Sequence, residues 1–191
     1  MTPVLDAPLT GRLLVASPDL CDPNFRRAVV LVVEHSAEGA LGVVLDRPIP
    51  DLDVHDVLPD WDAFVVEPAV LFDGGPVQQD GAIGIGRLQH PCVEPAPWGV
   101  PIDHHLVRID LSAPGGPAQG ALAGLRIYAG YAGWSAGQLD AEIARGDWFV
   151  VDAEPGDPWR DVCADLWREV LERQGGRLAL FARFPDDPSA N

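Results

Sequence analysis

The chain is 191 residues long, 47% hydrophobic and 22% charged, with a mean hydropathy of +0.06. A length near one typical domain and an ordinary globular composition exclude a fibrous or disordered chain and predict a single domain with a proper core. Against 13 basic residues stand 29 acidic ones, a net charge of -16; the basic residues are scattered, so the surface repels DNA, RNA and anionic lipid, and no direct nucleic-acid or membrane binding is expected.

In chain order, residues 1–11 read as an N-terminal extension without the basic and apolar stretches of a secretory signal. Strands are predicted at 12–16 (RLLVA), 27–34 (RAVVLVVE) and 40–45 (ALGVVL), runs rich in Val and Leu bounded by Gly or Pro. A short turn or helix follows near 53–58. Further strands are expected at 69–72, 82–88 (AIGIGRL), 105–110, 125–131 (LRIYAGY) and 147–151, with a less regular one near 178–183 (LALFAR). Loops punctuated by Pro and Gly separate them at 89–103 and 112–120. The longest apolar run, 28–33, is far short of the roughly 20 residues a membrane span needs, and the expected compartment is the cytoplasm.

Two helices come late. One is predicted at 135–144, opened by a capping box in which Ser135 and Gln138 hold the S-x-x-Q positions. The other starts at Asp157 as N-cap with Pro158 behind it, carries Trp159, Val162, Cys163, Leu166, Trp167, Val170 and Leu171 on one stripe, and ends at Gly175. Residues 185–191 read as a frayed tail, leaving 12–184 as the domain. Many strands followed by two helices give the α+β class rather than a regular βαβ winding, with strand 27–34 at the centre of a sheet covered on both faces.

The motifs are few. All basic residues are arginine, which removes the Walker A loop and any lysine Schiff base. Cys21, Cys92 and Cys163 are an odd set without C-x-x-C spacing, so no disulfide framework and no metal site is expected. The stretch 51–62 begins like a calcium loop but lacks the Gly and Glu that such a loop requires. Gly133-Trp134-Ser135-Ala136-Gly137 matches a nucleophile elbow, yet all five histidines precede Ser135, and the helix cap already accounts for the serine. Residues 22–27 (DPNFRR) form a Pro-set turn with two arginines, either ion-paired or clamping a carboxylate or phosphate. Trp134, Gln138, Glu142 and Arg145 recur at helical spacing as an aromatic and polar face.

Taken together, the stretches 13–48 (LLVASPDLCDPNFRRAVVLVVEHSAEGALGVVLDRP), 70–77 (VLFDGGPV) and 130–143 (GYAGWSAGQLDAEI) resemble the YqgE/AlgH family of bacterial cytosolic proteins. The resemblance implies a twisted mixed sheet partly closed into a barrel and flanked by a few helices. It implies no agreed activity, and the regulator label carried by AlgH has no DNA-binding motif here to support it. Among the positions matching the family signature are Phe25, Arg26, Arg27, Glu34, Gly39, Gly74, Gly75, Tyr131, Trp134, Gln138 and Glu142. Asp46 stands where the family usually has Asn, and 84–87 replaces a segment that often ends in His.

These residues point to a ligand- or protein-binding module without a cofactor. Its expected surface comprises Phe25, Arg26, Gly74, Gly75, Tyr131, Trp134, Gln138 and Glu142, and its partner is a small anionic ligand or another protein. The competing readings are a hydrolase using Ser135 or a thiol enzyme using Cys21, and a transcriptional regulator.

Overall fold

A computed structural model describes residues 8–161 and 164–184. Most of the N-terminal extension, Val162, Cys163 and the 185–191 tail therefore lie outside the described residues. Among the described residues ten strands build one curled sheet: β1 (Arg12–Ala16), β2 (Val29–Ser36), β3 (Gly39–Val44), β4 (Pro48–Asp53), β5 (Val70–Asp73), β6 (Val77–Leu88), β7 (Gly99–Pro101), β8 (Leu106–Ile109), β9 (Leu122–Ser135) and β10 (Trp148–Asp152). Their order is β10-β1-β2-β3-β9-β6-β8-β7, with β5 parallel to the middle of β9 and β4 beside β5. Every other pairing among the named strands is antiparallel, so the sheet curls into a half-barrel. Among the described residues four α-helices flank it: α1 (Val54–Val57), α2 (Gln138–Arg145), α3 (Leu166–Gln174) and α4 (Gly176–Phe181).

The run expected at the centre of the sheet is β2, between β1 and β3. Its alternation splits the core. Val29, Leu31 and Val33 pack with Trp167, Val170 and Leu171 of α3, whereas Val30 and Val32 pack with Leu139 of α2, Trp134 and Trp148. Both faces are thus dry, which is why the strand tolerates five consecutive apolar residues. A third cluster around Trp61, Leu125 and Ile127 closes the far end. In AIGIGRL, Ile83 and Ile85 face α3 while Gly84 and Gly86 leave room for Ile109 and Leu122, whose atoms would sit 2.9 Å from an added Cβ.

β9 is the longest strand, and a bulge divides it. Gly130 has φ +69, and the register against β6 breaks between Val77 and Ala82. Ahead of the bulge Tyr128 faces α3, and beyond it Ala132 and Trp134 face α2. The bulge re-aims the side chains.

Several expectations are corrected. The helix predicted from Asp157 is a single 3₁₀ turn, Asp157–Trp159, and α3 begins only at Leu166. Both carboxylate oxygens of Asp157 are taken by Arg173, one of them also by the Glu154 amide, while Asp165 accepts the Arg168 amide as the working N-cap. The strand expected at 178–183 is α4, because Gly175 (φ +67) and Gly176 (φ +51) reverse the chain into a second helix. Leu178 and Phe181 then reach the core at helical spacing. Ser135 closes β9 rather than capping α2; the N-cap is Gly137, in the left-handed region. Strands β4 and β7 lacked any alternating apolar pattern and were not anticipated.

Candidate functional site

The residues singled out from the sequence fall into two neighbouring groups joined by residues 22–27. The first is an aromatic platform between β9, α2 and β10. Trp134 is in β9 rather than on the helix face expected of it, and is only 6% exposed. Its indole N–H donates to Glu142 Oε2 at 2.8 Å, and the Trp148 indole donates to the same oxygen at 2.9 Å. Gln138 Nε2 donates to Glu142 Oε1 at 3.0 Å, and Gln138 Oε1 accepts from both the amide and the hydroxyl of Ser135 at 3.1 Å. The predicted Ser135 and Gln138 contact therefore exists, but the serine hydroxyl is held by an amide oxygen and not by a base. Phe25 completes the platform, its ring 6.3 Å from Trp134 and 5.5 Å from Trp148. Arg145 pairs with Asp147 instead of joining this group.

The second group is the Gly74 and Gly75 turn. An added Cβ on Gly74 would sit 2.4 Å from the Gly130 carbonyl oxygen, and one on Gly75 (φ +143) 2.5 Å from the Tyr131 backbone. Only glycine fits this close approach to the β9 bulge. The Gly74 amide donates to the Ala129 carbonyl and the Gly75 amide to Asp73 Oδ1, so neither is open to a ligand. Tyr131 lies on the core side of the turn.

Arg47, which the sequence reading did not single out, ties the two groups together. Its guanidinium donates to the carbonyls of Asn24 (2.6 Å) and Arg26 (3.3 Å), and its own carbonyl accepts the Asp73 amide at 2.7 Å. Asp22 Oδ1 further holds the Asn24 amide, and Arg27 takes a left-handed conformation, φ +52, with its guanidinium stacked 4.3 Å over Trp167 and near Asp165. On this fixed loop Arg26 is exposed, and its guanidinium bonds to no described residue.

Next to Arg47, burial pushes the Asp46 carboxyl up to about 6, with the Asp165 charge adding and Arg47 opposing. A shallow cleft of about 450 Å³ lies over Gly39, Leu41, Tyr131 and Trp134. Glu34 and Glu38 on its rim make it unsuited to an anion. Cys21 is exposed, its thiol donating to the Asp19 carbonyl at 3.3 Å.

A curled antiparallel half-barrel with helices on both faces and a glycine-packed bulge in its longest strand defines an α+β fold of the half-barrel type. A family model described as AlgH-like matches residues 13–179. A UPF0301 protein of Streptomyces coelicolor is 52% identical over 96% of this chain and 95% of its own length, and one from Mycobacterium tuberculosis is 45% identical over 95% and 90%. The crystal structure of protein DIP2367 from Corynebacterium diphtheriae is similar with a TM-score of 0.86 at 34% identity, covering 96% of this chain and 95% of that one. The solution structure of AlgH from Pseudomonas aeruginosa is similar with a TM-score of 0.66 at 27% identity, covering 97% and 98%. The chain belongs to the AlgH-like, UPF0301 family. Among the described residues no helix is long and apolar enough to cross a membrane.

Proposed function

We propose that this protein is a binding module whose contact surface is the 22–27 loop, with Arg26 meeting an anionic group on a small ligand or on a protein partner. The observation that carries this reading is the contrast within the loop. Its backbone is pinned by Arg47, Asp22 and the Phe25 ring, yet the Arg26 guanidinium is presented to solvent without a described partner on a chain of net charge -16. A pre-organised cation loses little entropy on binding, and a guanidinium matches a carboxylate or phosphate with two parallel hydrogen bonds. In this reading Phe25, Trp134, Gln138 and Glu142 support the loop from beneath, and Gly74, Gly75 and Tyr131 fix its flank.

The test is purification of the tagged protein and its Arg26→Ala variant from the native host, followed by native mass spectrometry. The reading predicts a reproducible additional mass, ligand or partner, that the variant loses while its melting temperature stays within about 2 °C. Identical spectra for both proteins would refute it.

A further inference from the structure

On the α3 face of the sheet lies a group of polar side chains that the reading above does not use. The register of β6 and β9 pairs Ile85 with Arg126, Arg87 with Gly124 and Ile83 with Tyr128. Alternate residues share a face, so Arg87, Arg126 and Tyr128 stand in a row, with Arg87 diagonal to Arg126 at about 7–8 Å and Tyr128 two residues beyond Arg126 on β9. The Asp157–Trp159 turn covers them: the Trp159 ring lies 5.5 Å from the Arg87 guanidinium, and the Arg160 carbonyl accepts from Arg126 Nη2 at 2.9 Å. Arg126 is 2% exposed and Tyr128 fully buried.

Four buried polar atoms in this group have no hydrogen-bond partner: Arg87 Nε, Arg126 Nε, Tyr128 Oη and Trp159 Nε1. The three nitrogens can only donate, and the phenol can donate as well. A buried donor left unpaired costs about 1–3 kcal/mol, and native proteins keep few of them. Charge points the same way. Asp161 is the carboxylate acting on Arg126, and no described carboxylate forms an ion pair with Arg87. The Asp46 charge also acts on Tyr128. Water could take up the donors but would supply no counter-charge to Arg87.

We propose that Arg87, Arg126, Tyr128 and Trp159 form a binding site for one small oxyanion, a phosphate or carboxylate group, beneath the Asp157–Trp159 turn. The site does not depend on Arg26 and stands or falls separately. The guanidinium edges supply charge-assisted bonds, while the indole and phenol fix orientation.

The test is thermal unfolding and calorimetric titration of the exhaustively dialysed full-length protein, with inorganic phosphate and separately with acetate, at constant ionic strength. A saturable rise in melting temperature with either anion is expected, and which anion acts distinguishes a phosphate from a carboxylate ligand. Arg87→Met should weaken that anion's binding by about tenfold or more, and Trp159→Phe, which deletes the N–H and keeps a ring, by several-fold. Absence of a saturable effect in the wild type, or the same effect in both variants, would overturn the proposal.

Discussion

Two polar clusters sit on opposite faces of the same sheet and are built on opposite rules. On the α2 face each oxygen of Glu142 is used, two indoles and an amide converging on one carboxylate. On the α3 face Arg87, Arg126, Tyr128 and Trp159 each keep a buried polar atom without a partner. A saturated network sets shape, since removing any member strands another. An unsaturated one carries a standing cost that only a further molecule removes. The difference separates a part of the chain that holds the fold from a part suited to a ligand, although both are rich in Trp and charged residues.

The contrast is broken most severely at its saturated end. Glu142→Ala leaves two buried indole N–H groups and the Gln138 amide without their acceptor, and should lower the unfolding free energy by about 2–4 kcal/mol in urea titration. Asp46→Asn should act in the opposite direction. With its carboxyl raised from 3.8 to about 6 in the folded state, the native protein binds the proton more tightly than the unfolded chain. The resulting penalty is full above pH 6 and relieved as pH falls from 6 toward 4. Asn should therefore stabilise by roughly 1–3 kcal/mol at pH 7 and remove that rise on acidification, measured by urea unfolding across pH 4–8. Arg26→Ala sharpens the comparison from the surface, because an exposed side chain without partners should change stability by less than about 0.5 kcal/mol while removing the bound mass.

Much of this fold is legible in the residues, and the misses have physical causes. The apolar run of β2 and the stripe Leu166, Trp167, Val170 and Leu171 carry their own periodicity, so their elements and burial follow directly. The helix expected from Asp157 starts only at Leu166 because the Asp157 carboxylate is taken by Arg173, a tertiary pairing that carries no local signal, and Asp165 caps α3 instead. The 178–183 segment was ambiguous because a short apolar run suits strand or helix equally. Trp134, Gln138 and Glu142 do come together, but the i, i+4 pattern that suggested one helix face arises from a strand, a turn and a helix in succession. Two determinants gave no local signal. Arg47 acts through backbone carbonyls 21 and 23 positions away, and the Arg87 and Arg126 group depends on strand register, which a single sequence does not reveal.

The most direct measurement is the stability of Tyr128→Phe by urea unfolding, first in phosphate-free buffer and then with the saturating anion. It deletes one fully buried hydroxyl and leaves the ring in place. If the α3-face cluster is an unfilled anion site, the variant equals or exceeds the wild type without anion and gains less than the wild type when anion is added. A loss of more than about 1 kcal/mol in anion-free buffer would mean that the hydroxyl is already satisfied within the fold, and the contrast between the two faces would not hold.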